Sequence, residues 1–237
     1  MLSPDGRVIM VSGASRGIGL AVARALHAKG YSLSLGARRR DAIDTAVADI
    51  ADGRIMTQAY DAKDEASNRD WVEATAARFG RIDGLVNNAG ILIPTSIEDD
   101  TEEAYDEMWA VNVKGPLRLI RLTMPYLKQS GSGRVVNVAS LSGKRVKNEQ
   151  AGYPMSKFAV VALTQAVRRA GWDDGVRATA VCPGYVATDM TAEVESVAAR
   201  EMIQPEDLAE LVATVIALPN TASVAEIPIN CVLEDVF

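Results

Sequence analysis

Short apolar runs alternate along the chain with longer stretches that have a helical spacing of apolar residues. The first run, residues 8–11 (Val-Ile-Met-Val), is continuous, which is typical of a parallel strand covered on both faces. A Gly-rich turn follows, and then a helical pattern that continues to Leu26. Gly30 comes just after this pattern, and it predicts the C-terminal end of the helix.

The same alternation continues through the rest of the chain. The further predicted strands are residues 31–35, 54–60, 82–87, 134–140, 176–182 and 224–230, and the further predicted helices are residues 41–50, 66–79, 102–127 (as one helix or two), 153–170 and 205–218. Strands separated by helices indicate crossover connections and one parallel, doubly wound sheet of about seven strands. Pro228 cannot donate to a central ladder, so we expect the last strand at a sheet edge.

Composition favours one α/β domain over residues 1–237. The chain is 48% hydrophobic, and no linker-like stretch divides it. A net charge of −6 without a long basic run predicts neither nucleic-acid nor membrane binding. No apolar stretch approaches the roughly 18 residues of a membrane-spanning helix, and the first residues lack the pattern of a signal peptide. We therefore expect a cytoplasmic protein.

Cysteine and histidine are too scarce for several kinds of site. Cys182 and Cys231 cannot form a disulfide framework, and their spacing fits no common metal motif. His27 is the single histidine, which leaves little room for a Ser-His-Asp hydrolase. We expect no metal site.

A Gly-rich segment opens the first helix immediately after the first strand. Residues 12–19 read Ser-Gly-Ala-Ser-Arg-Gly-Ile-Gly, with the spacing G-x-x-x-G-x-G. Glycines let a backbone approach a pyrophosphate, and a helix N-terminus offers free N–H groups and a positive dipole end. The alternative is a tight strand–helix turn without a ligand.

Three arginines follow the second predicted strand, where residues 36–40 read Gly-Ala-Arg-Arg-Arg. An NAD site places an acidic residue here for the ribose 2′-hydroxyl, whereas arginine accommodates a 2′-phosphate. Cations near a helix N-terminus oppose the helix dipole, so a solvated basic patch is the less favoured alternative. We predict that NADP(H) is preferred over NAD(H), with Arg38 facing the phosphate and Arg16 or Arg39 as a second contact.

The candidate chemistry lies after the fifth predicted strand. Ser140 follows that strand, and Tyr153 and Lys157 lie one turn apart on the next helix, so they share a face. A lysine cation beside a phenol would lower the phenol pKa toward the range of a useful proton donor and acceptor. A solvated helix face is the alternative for such a pair when it stands alone.

Together these features resemble the classical branch of the short-chain dehydrogenase/reductase family. The resemblance runs from about Val8 to Met190, and its six motifs occur in the family order. The motifs are the Gly13/Gly17/Gly19 loop, residues 87–90 (Asn-Asn-Ala-Gly), Asn112, Ser140, the Tyr153/Lys157 pair, and residues 183–188 (Pro-Gly-Tyr-Val-Ala-Thr).

The resemblance implies a single Rossmann-type domain that transfers a hydride between NADP(H) and a small carbonyl or alcohol substrate. By this resemblance Ser140 orients the substrate carbonyl, Tyr153 is the general acid or base, Lys157 lowers its pKa and holds the nicotinamide ribose, and Asn112 supports a proton relay through water. The implied cofactor-binding residues are Gly13, Ser15, Arg16, Gly17, Ile18, Gly19, Arg38, Arg39, Asp61, Ala62, Asn88, Ala89, Gly90, Tyr153, Lys157, Pro183, Gly184, Val186 and Thr188.

Further expectations concern assembly and substrate. In relatives, helix 153–170 pairs across a two-fold axis alongside the helix that carries residues 113–127. The apolar residues of helix 153–170 occupy more than one face, so we predict a homodimer or homotetramer. Many members end in a Gly-rich segment, but residues 225–237 contain no glycine. Residues 188–204 are expected to form a substrate lid.

Two other functions stay open. One is a 3-oxoacyl-carrier-protein reductase; residues 171–175 (Gly-Trp-Asp-Asp-Gly) would repel an acidic carrier, although Arg168 and Arg169 keep this option. The other is a catalytically silent sensor of the same fold that only binds the dinucleotide. The intact set of Ser140, Tyr153, Lys157 and Asn112 argues against it.

Overall fold

Seven parallel strands form one sheet in the computed structural model, which describes residues 1–100 and 102–234. The strands are β1 (Val8–Ser12), β2 (Ser32–Ala37), β3 (Ile55–Ala59), β4 (Gly84–Asn87), β5 (Arg134–Val138), β6 (Arg177–Pro183) and β7 (Glu226–Ile229). Their order is β3-β2-β1-β4-β5-β6-β7, so the chain builds one half of the sheet and then returns to build the other. The predicted fold class, a doubly wound parallel sheet, is confirmed.

Helices cover both faces of this sheet. They are α1 (Gly17–Ala28), α2 (Arg40–Ala46), α3 (Glu65–Phe79), α4 (Glu103–Trp109), α5 (Gly115–Gln129), α6 (Gly152–Gly171) and α7 (Pro205–Ala217). A π-helical turn, Ala110–Lys114, joins α4 to α5. No helix within the described ranges is long and apolar enough to cross a membrane.

The predicted element bounds are close to the observed ones, with one clear exception. Helix α2 ends at Ala46, four residues before the predicted end. The N–H groups of Ala48 and Ile50 donate to carbonyls three residues earlier rather than four, so the chain tightens into a turn.

The last strand confirms the prediction made from its proline. Strand β7 lies at one edge of the sheet and pairs with β6, where Pro228 stands opposite Cys182. The missing N–H of a proline is tolerated at an edge because no further strand needs it there.

The hydrophobic core has two parts, one on each face of the sheet. Ile9 and Val11 of β1 point to the face where α1 and α7 pack, whereas Met10 points to the opposite face, with Trp71 of α3 and Leu119 of α5. This alternation fixes the register of β1. Because all seven strands are parallel, the loops after β1, β4, β5 and β6 lie together at the carboxyl ends of the strands, where the order of the strands changes direction.

Candidate active site

The loop between β1 and α1 passes so close to the loop after β4 that its glycines have no room for side chains. Gly13 has a positive φ of 68°, and a Cβ there would lie 2.9 Å from the Asn88 side-chain amide. A Cβ at Gly19 would overlap the Gly13 carbonyl oxygen. Gly13 therefore requires glycine for its backbone conformation as well as for space, and Gly19 requires it for space.

Neutral hydrogen bonds tie these two loops together. The Ser12 hydroxyl oxygen accepts from the N–H groups of Asn88 and Ala89, both at 3.0 Å. The Asn88 amide nitrogen in turn donates to the carbonyls of Ser12 (3.1 Å) and Gly13 (3.2 Å). The carboxyl ends of β1 and β4 thus form one rigid unit.

Helix α1 presents a bare N-terminus beside this unit. Its first turn carries no acidic residue, and within the described residues no side chain caps it. The positive end of the helix dipole is therefore available to an anion. Together with the crowded glycines, this end of the sheet fits the pyrophosphate of a dinucleotide.

The arginines expected near the adenosine ribose are exposed, and they differ in their partners. Arg39 pairs with Asp41 at 2.8 Å, and Arg16 pairs with Asp189. Arg38, directly after β2, makes no ion pair or hydrogen bond within residues 1–100 and 102–234. Arg38 is thus the arginine of this group that needs no rearrangement to meet a phosphate.

Asp61 and Ala62 lie just beyond β3. The Asp61 N–H donates to the Ser67 hydroxyl at 2.9 Å, and its carboxylate accepts from the Lys63 N–H at 2.9 Å. Ala62 is buried, and a Cβ at Gly115 would lie 2.8 Å from the Ala62 Cβ. This turn therefore packs against the start of α5, and like the glycine loop it lies at the carboxyl ends of the strands.

Ser140 lies at the end of β5 and begins the segment that leads to α6. Its hydroxyl accepts from the Ser142 N–H at 3.0 Å, which caps a short 3₁₀ turn, Leu141–Gly143. The same hydroxyl donates to the Pro183 carbonyl at 3.4 Å. These contacts hold Ser140 between the ends of β5 and β6.

Tyr153 and Lys157 lie on the first turns of α6 and face one another. The Lys157 ammonium lies 5.5 Å from the centre of the Tyr153 ring and donates to the Val138 carbonyl at 2.9 Å. A Cβ at Gly90 would lie 3.6 Å from the same ammonium. The structure therefore brings the loop after β4 to the catalytic candidates.

Burial dominates the ionisation of this pair. Loss of solvent raises the pKa of Tyr153 to about 12, and the nearby Ser140 hydroxyl acts in the opposite direction. Burial likewise lowers the pKa of Lys157 to about 8. The net shift of the phenol pKa is therefore upward, opposite to the lowering expected from the sequence, because burial outweighs the hydrogen bond from Ser140.

Asn112 lies in the π-helical turn, and its side chain connects two other parts of the site. Its amide oxygen accepts from the Ile91 N–H at 2.8 Å, and its amide nitrogen donates to the Ile91 carbonyl (2.9 Å) and the Ser156 hydroxyl (3.0 Å). Ser156 donates to the Tyr153 carbonyl at 2.8 Å. The side chain of Asn112 thus holds the loop after β4 against α6.

The segment after β6 begins beside the glycine loop. The Gly184 N–H donates to the Ile229 carbonyl at 2.8 Å, and buried Val186 pairs with Ile203. A Cβ at Gly17 would lie 3.2 Å from the Thr188 methyl group. Residues 188–204 then run through two short 3₁₀ turns on the surface.

A cavity of about 530 Å³ lies beside the start of α6. Its lining is polar apart from one proline: Pro94, Thr95, Ser96, Asp99, Asn148, Glu149 and Gln150. Thr95 connects it to the candidate proton donor, since its hydroxyl accepts from the Gly152 N–H (3.1 Å) and its carbonyl from the Ala151 N–H (3.0 Å). Gln150, the lining residue nearest to Tyr153 along the chain, precedes it by three positions.

Comparison with known proteins agrees with this geometry. The model of the short chain dehydrogenase family matches residues 7–198. The chain belongs to this family. It is therefore an oxidoreductase of a family that binds nicotinamide dinucleotides and acts on small molecules.

The relatives of this short-chain dehydrogenase include proteins of very different length. Two agropine synthesis reductases of Rhizobium rhizogenes are 44% and 42% identical over 97% and 96% of the chain, but the chain spans only 53% of each. An uncharacterized oxidoreductase of Staphylococcus saprophyticus is 32% identical over 97% of the chain and 99% of its own length. The chain thus spans about half the length of the two reductases.

Solved structures show the same fold. An alcohol dehydrogenase from the archaeon Thermococcus sibiricus, complexed with 5-hydroxy-NADP, superposes with a TM-score of 0.85 and 30% identity, over 94% of this chain and 95% of that one. The crystal structure of gox2181 superposes with a TM-score of 0.87 at 24% identity, over 95% and 94%, which shows likeness of fold alone.

Two features of this short-chain dehydrogenase were not predicted from its sequence. Ser156, which connects Asn112 to α6, belongs to none of the sequence motifs, although its position between Tyr153 and Lys157 could have suggested a structural role in the site. The acidic turn at residues 171–175 lies at the far end of α6, about 28 Å from Tyr153 at the rise of a helix. The turn expected to repel an acidic carrier therefore lies away from Tyr153.

Proposed function

We propose that the chain reduces small carbonyl compounds with NADPH, or runs the reverse reaction, with Tyr153 as general acid in reduction and general base in oxidation. The observation that carries the proposal is that Tyr153, Lys157 and Ser140 lie close together beside the loop after β4. A polar cavity lies beside the start of α6, the helix that carries Tyr153 and Lys157. This is the constellation that a proton donor for a carbonyl oxygen requires.

In this mechanism the nicotinamide supplies the hydride, and the chain supplies position and a proton. The Ser140 hydroxyl is released from its long contact with Pro183 (3.4 Å) and orients the substrate oxygen. A Tyr153 pKa of about 12 keeps the phenol protonated at neutral pH, as a donor must be. Lys157, with a pKa of about 8, is mostly charged at pH 7 and stabilises the phenolate that remains.

Asn112 has a different part in this proposal from the one its sequence position suggests. Both N–H groups of its side-chain amide donate, to the Ile91 carbonyl and the Ser156 hydroxyl, and its oxygen accepts from the Ile91 N–H. The side chain therefore positions α6 and the loop after β4. In this proposal a proton relay uses its backbone, where the π-helical turn shifts the regular hydrogen bonds.

NADP(H) is the cofactor we propose, and Arg38 is the residue that selects it. No carboxylate stands at the end of β2 to bind a free ribose 2′-hydroxyl, and Arg38 is unpaired within the described residues. The proposed contacts are those implied by the family motifs: Gly13, Ser15, Arg16, Gly17, Ile18, Gly19, Arg38, Arg39, Asp61, Ala62, Asn88, Ala89, Gly90, Tyr153, Lys157, Pro183, Gly184, Val186 and Thr188. The archaeal alcohol dehydrogenase with 5-hydroxy-NADP supports this choice by likeness.

A free small carbonyl compound fits the site better than a substrate on an acidic carrier protein. Glu149 and Asp99 lie at the cavity and would repel such a carrier. The nearest cations along the chain, Arg145 and Lys147, are paired with Glu234. The name of the two agropine synthesis reductases also agrees with a reduction, although their extra length leaves their substrate a separate question.

We also propose that the chain forms a homodimer or homotetramer through α4 and α6. Trp109, Met155 and Phe158 on these helices are 41–54% exposed, and a partner packed on this face would cover all three. Light scattering at micromolar concentration tests this, and a monomer would contradict it. Residues 188–204 are proposed as the lid over the substrate.

A substrate panel tests the proposed reaction. Glyceraldehyde, benzaldehyde, cyclohexanone and acetoacetyl-coenzyme A are each mixed with NADPH, and the absorbance of the reduced nicotinamide is followed. We expect consumption of NADPH with an aldehyde or ketone, and a Tyr153→Phe variant about 10²- to 10⁴-fold slower but with unchanged NADPH affinity. Tyr126→Phe, which alters a tyrosine on α5 packed against the core, should behave as wild type.

The same panel separates the alternatives. A Tyr153→Phe variant with wild-type rates would remove Tyr153 from the mechanism. Binding of NADPH without any turnover would favour the dinucleotide sensor. A strong preference for the acetoacetyl thioester would favour the 3-oxoacyl-carrier-protein reductase.

A further inference from the structure

The segment between Ser140 and α6 is held by acidic residues from the end of the chain. Lys144 forms an ion pair with Glu226 of the edge strand β7, and Glu226 also accepts from the Gln165 amide of α6 at 3.3 Å. Arg145 forms a second ion pair with Glu234, the last described residue. Two carboxylates thus anchor consecutive residues of this segment.

The second pair has the geometry of a specific contact. The Arg145 Nε donates to a Glu234 carboxylate oxygen at 2.7 Å, and Lys147 approaches the other oxygen at 3.6 Å. The side chains of Glu234 and Arg145 are only 8% and 16% exposed. A pair this buried is less screened than one on the open surface, and loss of one partner leaves a charge without compensation.

Both carboxylates are ionised near neutral pH. Burial raises the pKa of Glu234, but Arg145 and Lys147 outweigh it and lower the pKa below its usual range. For Glu226, the hydrogen bond from Lys144 is the largest cause of a lowered pKa. The pairs are therefore intact wherever the enzyme would work.

Along the chain, the anchored residues lie between Ser140 and the residues that line the cavity. Before them, the 3₁₀ turn that begins at Ser140 packs on Lys157, since a Cβ at Gly143 would lie 2.6 Å from the Lys157 carbonyl oxygen. After them, Asn148, Glu149 and Gln150 line the cavity. Residues 146–149 are all exposed, so they lack the apolar packing that would otherwise fix them.

We propose that Glu226 and Glu234 are positioning residues that fix the cavity wall formed by residues 148–150 and thereby set the affinity for the substrate. The effect on substrate affinity rests on the proposed function, whereas the effect on the segment itself does not. For this reason the test has two readouts.

The test compares Glu234→Gln, Arg145→Gln and the double variant, with Asp49→Asn as the matched control. Asp49 pairs with Arg24 of α1 at 2.7 Å, and neither residue lines the cavity. Hydrogen exchange of the residue 144–150 amides is measured first. Steady-state constants are then measured with NADPH and the best aldehyde or ketone of the panel.

We expect faster exchange at residues 144–150 and a KM for the carbonyl substrate about tenfold higher in each single variant, with kcat changed less and NADPH affinity unchanged. The double variant should be no worse than either single one, because both remove the same pair. Asp49→Asn should leave both readouts as in wild type.

Unchanged exchange and unchanged KM in Glu234→Gln and Arg145→Gln would overturn the proposal. If Glu234→Gln does not fold, Glu226→Gln gives the same test through the Lys144 pair. A wild-type enzyme that turns over nothing in the panel would defeat the proposed function, while the exchange measurement would still decide whether the carboxylates hold the segment.

Discussion

The two sides of the site are held together by different kinds of contact. On the nucleotide side, Ser12, Gly13 and Asn88 are joined by short neutral hydrogen bonds, and the glycines leave no free space. On the substrate side, ion pairs hold the segment between Ser140 and α6, as in Arg145 with Glu234 and Lys144 with Glu226.

This difference has consequences for what each side can tolerate. Close-packed backbone fixes both the geometry and the residue type, so a single methyl group disrupts it. Ion pairs between long side chains fix a segment with less demand on the exact residues, and they respond to salt and to charge. We therefore expect the nucleotide side to be sensitive to volume and the substrate side to be sensitive to charge.

The largest effect is expected from Gly19→Ala on the nucleotide side. The added methyl group overlaps the Gly13 carbonyl, so the loop must move, at a cost of about 1–3 kcal/mol in the free energy of unfolding. Calorimetric titration should show NADPH affinity reduced by more than about a hundredfold, since the phosphate cradle is displaced.

Gly53→Ala is the control for this prediction, because a Cβ at Gly53 meets nothing within 4 Å. Its stability and NADPH affinity should match wild type. A Gly19→Ala variant that binds NADPH normally would show that the nucleotide side is not the rigid unit described above.

The next effect concerns Lys157, where the two sides meet. Burial lowers its pKa from 10.5 to about 8, so between these values the unfolded chain holds a proton that the folded chain has released. Raising the pH through this window therefore stabilises wild type, by up to about 3 kcal/mol, and Lys157→Met lacks this gain. The free energy of unfolding of both proteins is measured by urea denaturation at pH 7 and at pH 10.

We expect the unfolding free energy of wild type, relative to Lys157→Met, to rise between pH 7 and pH 10. Tyr153 contributes little over this range, because its raised pKa matters only above about pH 10. A difference that stays constant with pH would mean that Lys157 titrates as an exposed lysine does.

The third effect is the preference of wild type for NADPH over NADH, which we expect to be about ten- to a hundredfold. A charge-assisted pair between Arg38 and a 2′-phosphate contributes on the order of 1.5–3 kcal/mol, so NADPH should be preferred mainly through KM. Ala37→Asp with Arg38→Gln should reverse the preference, and added salt should weaken it in wild type. Equal use of NADH and NADPH by wild type at low salt would contradict this prediction and would mean that the arginines form a solvated patch that does not bind the 2′-phosphate.

The smallest effect is expected for Arg39. It is exposed and already paired with Asp41, so Arg39→Gln should change the ratio of NADPH to NADH affinity by no more than about threefold. A change of ten- to a hundredfold in this ratio would instead identify Arg39 as the residue that selects NADPH.

Sequence alone predicts the parts of the site that depend on residue type at fixed spacing. Gly13, Gly17 and Gly19 are constrained by a close backbone approach, Tyr153 and Lys157 by the pitch of a helix, and Pro228 by its missing N–H. These constraints act locally, so they are visible in the chain.

The contacts that sequence could not predict join distant residues or depend on burial. Arg145 and Glu234 are 89 positions apart, and many other charges in the chain could have paired with either. The pKa of Tyr153 depends on how much solvent reaches it, which spacing from Lys157 does not determine. The end of α2 depends on a local switch in hydrogen bonding that its composition does not reveal.

Transfer of deuterium from the reduced nicotinamide tests the central claim most directly. NADPH labelled at the C4 position that the enzyme uses is mixed with the best aldehyde or ketone of the panel, and the product alcohol is examined by mass spectrometry and NMR. The account predicts one deuterium on the carbon that bore the carbonyl oxygen, and its formation slowed about 10²- to 10⁴-fold in Tyr153→Phe. With NADPH labelled in turn at each C4 position, consumption that leaves no deuterium on that carbon would contradict it.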